Sequence, residues 1–235
     1  MVVRKAVIPA AGGSVSLQTG ERLTSLVGVD FAPSDNRAHF WFPTPDVPGD
    51  KATVSFHVQA PLGQQVIANG SLEKIDTLPY GHAVWHYALN TPVPVYTMVV
   101  GVGRLARIPR PEAACSVRCV PLAVWAYPED SAYAATRFNR ADEMLDYFSR
   151  LIGPYPFPAL AHVESSTRYG GMENSTAIFY DQKLYRDKTL EQALIAHETA
   201  HQWWYAMAGN DQLREPWLDE GLAETVQWFH HRRAA

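Results

Sequence analysis

His197-Glu198-Thr199-Ala200-His201, followed after eighteen further residues by Glu220 in Trp217-Leu218-Asp219-Glu220-Gly221, is the part of the chain around which the rest is organised. On a helix, residues four apart lie one turn above each other on the same face, so His197 and His201 aim two imidazoles at one point. Glu220 follows at a distance that allows one helix to end, a loop to form and a second helix to bring back a third donor. Two histidines and a carboxylate, with a fourth position left open, make the ligand set of a catalytic zinc that activates a water. Glu198 lies between the histidines on nearly the same face, where it can take the proton of that water. The pattern predicts a His197-Glu198-x-x-His201 motif in the middle of a helix, one zinc ion per chain, and hydrolysis of peptides.

Composition sets the frame for that chemistry. The chain has 235 residues, 47% hydrophobic and 19% charged, which suits one large globular domain or two modest ones. A net charge of -4 argues against nucleic acid or an anionic membrane as partner. No window approaches the roughly 18 apolar residues of a membrane span. Met1 to Gly20 carries no basic segment followed by an apolar run, so no signal peptide is expected; a cytoplasmic location is the default, with the compartment of the parent protein left open. Cys115 and Cys119 are too few for a disulfide framework and have no further soft ligands beside them, which leaves free thiols or one local disulfide.

Along the chain the hydrophobic period changes once. From about Val15 to Gly103 the texture is that of strands. Ala52, Val54, Phe56, Val58 and Ala60 alternate with polar residues, as do Ala83, Trp85, Tyr87 and Leu89, and Tyr96 to Gly103 forms a further apolar strand. Asn69-Gly70 marks a tight turn after Val66-Ile67-Ala68. Gly103 to Pro121, with Arg104, Arg107 and Arg110 on a solvated face, connects to a strand at Leu122 to Tyr127. Then Phe138, Ala141, Leu145, Phe148 and Ile152 fall at helical spacing, with Asp130 or Ser131 as N-cap and Gly153 past the end. Leu160 to Ser165 and Ala177 to Tyr180 read as strands flanking a Gly170-Gly171 loop. Thr189 and Gln192 form a capping box for the helix that carries the histidines, Gly209 ends it, and Pro216 opens the next. Trp203 and Trp204 are core packing beside the ligands. The expected architecture is α+β: a β-sheet domain over residues 1–108 and an α+β domain over residues 109–235.

Two further features bear on the site. Glu224 lies one turn beyond Glu220, placed to hydrogen-bond outward from a ligand. Gly170-Gly171-Met172-Glu173-Asn174 begins 27 residues before His197. From its residue types alone it is a glycine-permitted close approach of backbone to a ligand, followed by one carboxylate, or equally a surface turn with a solvated glutamate.

In this order and spacing, the two motifs resemble those of the gluzincin zinc aminopeptidases, the family of membrane alanyl aminopeptidase and leukotriene hydrolase. Trp41-Phe42-Pro43, Asp46, Asp50-Lys51-Ala52-Thr53, Ala68-Asn69-Gly70 and Gly153-Pro154-Tyr155-Pro156-Phe157 extend the resemblance over most of the chain. It implies a thermolysin-like catalytic domain in which His197, His201 and Glu220 hold zinc and Glu198 is the general base. Glu173 would bind the free α-amino group of the substrate, and Gly170, Gly171 and Met172 would line the cleft against the peptide backbone. The partners so implied are peptides with a free N-terminus.

Two departures from the family's pattern stand out. The family uses a glutamate or glutamine shortly before Trp-Phe-Pro to help hold the amine, and here Phe31 to Asn36 offers only Asp35. The family's oxyanion tyrosine lies well beyond the third ligand, whereas this chain stops 15 residues after Glu220. The resemblance therefore implies the later part of the β domain joined to the metal-bearing part of the catalytic domain. Two other classes fit parts of the pattern: a thermolysin-like endopeptidase, which has no use for Glu173, and a zinc-binding relative without turnover.

Overall fold

A computed structural model describes residues 15–18, 26–27, 44, 47, 49–113, 118–167, 169–209 and 215–234. The expectations that rested on Phe31 to Asn36, Trp41-Phe42-Pro43 and Asp46 lie outside these residues. The strand half begins with two short pieces, β1 (Val15–Gln18) and β2 (Leu26–Val27). The longer strands are β3 (Lys51–Pro61), β4 (Gln65–Ala68), β5 (Ser71–Leu78), β6 (His82–Pro94) and β7 (Val99–Gly103). They form a four-stranded sheet in the order β1-β3-β6-β5 and a three-stranded sheet in the order β2-β7-β4. Period-two alternation puts Phe56, Val58 and Ala60 of β3 and Ala83, Trp85, Tyr87 and Leu89 of β6 on the buried face, against Val66, Ala68, Val100 and Val102 of the smaller sheet.

Asn69-Gly70 makes the expected turn, but the strands it joins do not pair with each other. β4 pairs with β7 and β5 with β6, so the turn carries the chain from one sheet to the other. Gly70 is obligatory there: its φ is +89°, and a Cβ would sit 2.0 Å from the Ala88 carbonyl oxygen. The predicted strand over Tyr96 to Gly103 starts later than expected, because Val95–Thr97 forms a single 3-10 turn.

The second half is built on a five-stranded sheet in the order β11-β12-β10-β9-β8. Its strands are β8 (Ala106–Pro109), β9 (Leu122–Ala126), β10 (Leu160–Ser165), β11 (Gly171–Met172) and β12 (Ala177–Asp181). β9, β10 and β12 run parallel, with β8 and β11 antiparallel at the edges. The expected division at 108/109 falls inside β8, which pairs with β9. Ile67 and Val99, on the outer face of the three-stranded sheet, pack with Val163, Ala177 and Phe179, so the two halves share apolar surface.

The helices are α1 (Ser131–Arg137), α2 (Ala141–Leu151), α3 (Gln182–Arg186), α4 (Gln192–Ala200) and α5 (Pro216–Ala234). The helix expected to run from Asp130 to Gly153 is two helices, broken at Phe138 to Arg140. The break lets Phe138 pack against the rings of His162, Tyr180 and Tyr185. Asp130 makes no side-chain cap and instead accepts from Lys188 Nζ at 2.8 Å. Arg110, expected on a solvated face, is partly buried and donates to Asp142 at 2.9 Å. Cys119 is disulfide-bonded. Among the described residues no helix is long and apolar enough to cross a membrane.

Candidate metal centre and amino-group site

α4 carries the histidine pair at its end rather than at its middle. The capping box does not form: Glu191 is the N-cap without a side-chain bond, and Gln192 Nε2 donates to the Arg137 carbonyl. Nor does the helix reach Gly209, since it stops at Ala200 with His201 as C-cap. Lys51 of β3 ties down the turn that follows, donating to the carbonyls of Ala206 at 3.2 Å and Met207 at 2.7 Å. Trp203, fully buried, adds a bond from its indole nitrogen to the Gly153 carbonyl at 2.8 Å. The turn frees the chain to enter α5 at Pro216, the expected first-turn proline, and α5 packs against α4.

This arrangement brings His197, His201 and Glu220 together, and among the described residues they are the one group of three or more placed to hold a metal ion. His197 Nε2 lies 3.1 Å from His201 Nε2 and 3.2 Å from Glu220 Oε2, and His201 Nε2 lies 3.7 Å from Glu220 Oε2. Tetrahedral bonds of about 2.0–2.1 Å require donor atoms about 3.3 Å apart, so the triangle fits zinc in both donor type and size. Three electron-rich atoms crowded this closely are costly unless a cation or protons share the space.

The imidazole of His201 is held by a residue that sequence reasoning missed. Its Nδ1 donates to Asp219 Oδ1 at 2.8 Å, and both side chains are buried. That bond fixes the tautomer with Nε2 facing the other two donors. Glu224, expected to play this part, stands 3.7 Å from His197 Nδ1 with its side chain 71% exposed, beyond hydrogen-bond reach. The imidazoles of His197 and His201 beside it hold the Glu220 carboxyl well below the usual carboxylate range.

Glu198 faces inward and is buried. Burial pushes its carboxyl up to about 8, with His201 opposing and Glu173 and Glu220 adding to the rise. A cation between the three donors would pull it back towards the range of a working base. Gly171 is where Glu198 and the glycine motif meet: a Cβ there would lie 2.2 Å from Glu198 Oε1 and 2.6 Å from its Cγ. The close approach read from the sequence is thus to the Glu198 side chain. Gly171, expected with Gly170 in a loop, instead forms the edge strand β11 with Met172, paired with Tyr180 and Phe179 of β12.

Glu173 follows directly and is 2% exposed, so the solvated-turn alternative is excluded. Burial raises its carboxyl, opposed by His201 and helped by Asp219. Its segment is gripped from two sides. Gln202, next to His201, accepts from the Thr176 amide at 2.8 Å and donates to the carbonyls of Glu173 and Asn174, each at 3.3 Å. From the strand half, Asn69 donates to the carbonyls of Ser175 at 2.6 Å and Thr97 at 2.9 Å, and accepts from the Val99 amide at 2.6 Å. Gly170 is exposed at the mouth, while Gly171 and Met172 are buried.

Comparison with known proteins meets this geometry at the same residues. Residues 136–234 match the family model described as the Peptidase family M1 domain. The chain is 28% identical over 233 residues to leucine aminopeptidase 2 of Aspergillus niger, covering 88% of this chain and 35% of that protein. It is 26% identical over 216 residues to glutamyl aminopeptidase of Bos taurus, covering 87% of this chain and 22% of that protein. It therefore spans between about a fifth and a third of the length of these relatives. An M1 zinc metallopeptidase from Deinococcus radiodurans superposes with a TM-score of 0.73 at 22% identity, over 83% of this chain and 44% of that one. A mutant of the same peptidase, solved with a Tyr-Ser-Ala substrate, gives 0.68.

Proposed function

Because the chain belongs to the gluzincin zinc aminopeptidase family, we propose that it binds one zinc ion and removes N-terminal residues from peptides with a free α-amino group. The observation that carries this reading is the convergence of His197, His201 and Glu220 within 4.8 Å of one another, with the buried carboxyls of Glu198 and Glu173 beside them. Those three residues would hold the ion. Zinc, when bound, supplies Lewis acidity that lowers the pKa of a coordinated water to roughly 7.

The remaining work falls to the chain's own groups. Glu198 takes the proton of the attacking water and passes a proton to the departing amine. Asp219 keeps His201 turned towards the other ligands. Glu173 accepts hydrogen bonds from the substrate's α-ammonium, and because it is buried, a blocked N-terminus leaves it unpaired at a cost that disfavours binding. Gly171 and Met172, on an edge strand, offer backbone groups along which an extended peptide lies.

The test is Glu198→Gln combined with a pair of peptides, one free and one N-acetylated. The expected outcome is full zinc content without turnover in the variant, and cleavage of the free peptide alone by the parent. Normal activity of Glu198→Gln would overturn the mechanism. Equal cleavage of both peptides would replace the aminopeptidase with an endopeptidase.

A further inference from the structure

Tyr96 lies in the strand half, in the 3-10 turn between β6 and β7, where an apolar run gives no hint of a polar role. Its hydroxyl donates to Glu173 Oε1 at 3.0 Å, and both residues are 2% exposed. We propose that Tyr96 is a positioning residue for the Glu173 carboxylate: it occupies one oxygen and turns the other towards the substrate's amine. The proposal rests on Glu173 being the amino-group acceptor, and it adds a residue from the other half of the molecule to that function.

Three features make the phenol a fixed donor. Its ring is braced edge-on by Tyr205, with centroids 4.8 Å apart, and Tyr205 belongs to the turn that follows His201. The adjoining Thr97 hydroxyl lies 2.7 Å from the Ser175 hydroxyl, and Asn69 links the Thr97 and Ser175 carbonyls, so the two backbones are tied together beside the pair. Burial also removes water as an alternative partner for either group. A carboxylate has about four acceptor sites, and the single phenol proton fills one, leaving capacity for an ammonium. Held in one rotamer before the peptide arrives, Glu173 spares the complex the entropy of ordering it.

The experiment is calorimetric titration of zinc-loaded Glu198→Gln protein, which stops turnover, with Ala-Ala-Ala and with its N-acetyl form. Adding Tyr96→Phe keeps the ring and removes the donor. The expected result is about tenfold weaker binding of the free tripeptide, as for loss of one hydrogen bond to a charged group, with the acetylated form unchanged. In a Glu173→Gln background, Tyr96→Phe is expected to give no further loss, because the two residues act as one unit. 3-Fluorotyrosine at position 96, a stronger donor of nearly the same shape, is expected to raise the preference for the free peptide.

Unchanged preference in Tyr96→Phe and with 3-fluorotyrosine, while Glu173→Gln abolishes it, would overturn the role of Tyr96 and leave that of Glu173 intact. Equal weakening of both peptides in Tyr96→Phe would make Tyr96 a structural residue only. Preference retained in Glu173→Gln, or no binding of either peptide, would overturn the reading on which the proposal stands.

Discussion

On the helical wall of the site, His197 and Glu220 keep part of their surface in water, with Glu220 45% exposed. On the strand wall, Met172, Glu173, Asn174, Ser175 and Thr176 are all shut away from it. The difference follows from what each wall uses to hold its polar groups. On the strand wall the Glu173 carboxyl, the Ser175 hydroxyl and the carbonyls of Glu173, Asn174 and Ser175 bond to Tyr96, Thr97, Gln202 and Asn69, within the protein itself. Helical-wall donors point mainly at one another, across 3.1–3.7 Å, in an arrangement that a cation completes. One wall is closed by its own hydrogen bonds, and the other leaves three donors facing one another. Gly171 is the point of contact between them.

That contact is the place to break the comparison hardest. Gly171→Ala drives a methyl group into Glu198, and the expected outcome is a fall of about 100-fold in kcat, the scale of a misplacement of about 1 Å at a reacting group. Zinc content, measured on the same samples, should stay full. Full activity would mean that the strand wall yields as easily as the helical one.

Asp219→Ala tests the helical wall alone. With the His201 tautomer no longer fixed, zinc affinity measured by competition with a chelator is expected to drop about 10–100-fold. The preference for a free over an acetylated peptide should persist once zinc is saturating. An unchanged affinity would show that the ligands are held without Asp219.

The smallest effect is confined to stability, beneath the strand wall on β10. Burial pushes Glu164 up to about 8, whereas an unfolded glutamate ionises near 4.5. Between those values the unfolded chain has lost a proton that the folded one keeps, so this group's contribution is complete below 4.5 and is lost as pH rises to about 8. His162, two residues earlier, is pushed down to about 3 from 6.5 by burial, and its contribution is lost as pH falls from 6.5 towards 3. Glu164→Gln should flatten the alkaline limb in denaturation measured from about pH 5 to about pH 9, leaving zinc binding untouched. A limb of unchanged slope would place the responsible group elsewhere.

The histidine pair, Glu220 and Pro216 were legible because helix geometry relates residues close in sequence. The strands of the first half were legible because a half-buried sheet imposes period two. What stayed hidden is long-range. Asn69 was read correctly as a turn residue, yet its side chain serves Ser175, 106 residues away. Tyr96 reaches Glu173 across 77 residues, and no local pattern marks it. Asp219 was overlooked for a different reason. The rule that residues four apart on a helix interact favoured Glu224, but it is Asp219 that is buried against His201, while the Glu224 side chain stays largely exposed 3.7 Å from His197. The turn after α4 is likewise tied to a distant residue, Lys51.

The Asn69 clamp has a consequence for the order in which the molecule is made. Gly70 and Thr176, like Asn69 and Ser175, are 106 residues apart, and Lys51 and Ala206 are 155 apart. Closing such loops carries an entropy cost that is recovered only when both ends are already structured, so contacts of this separation form late and slowly. During synthesis the first two sheets are complete well before Glu173 exists to be clamped. The surroundings of Glu173 therefore assemble only after the second half has docked against the first.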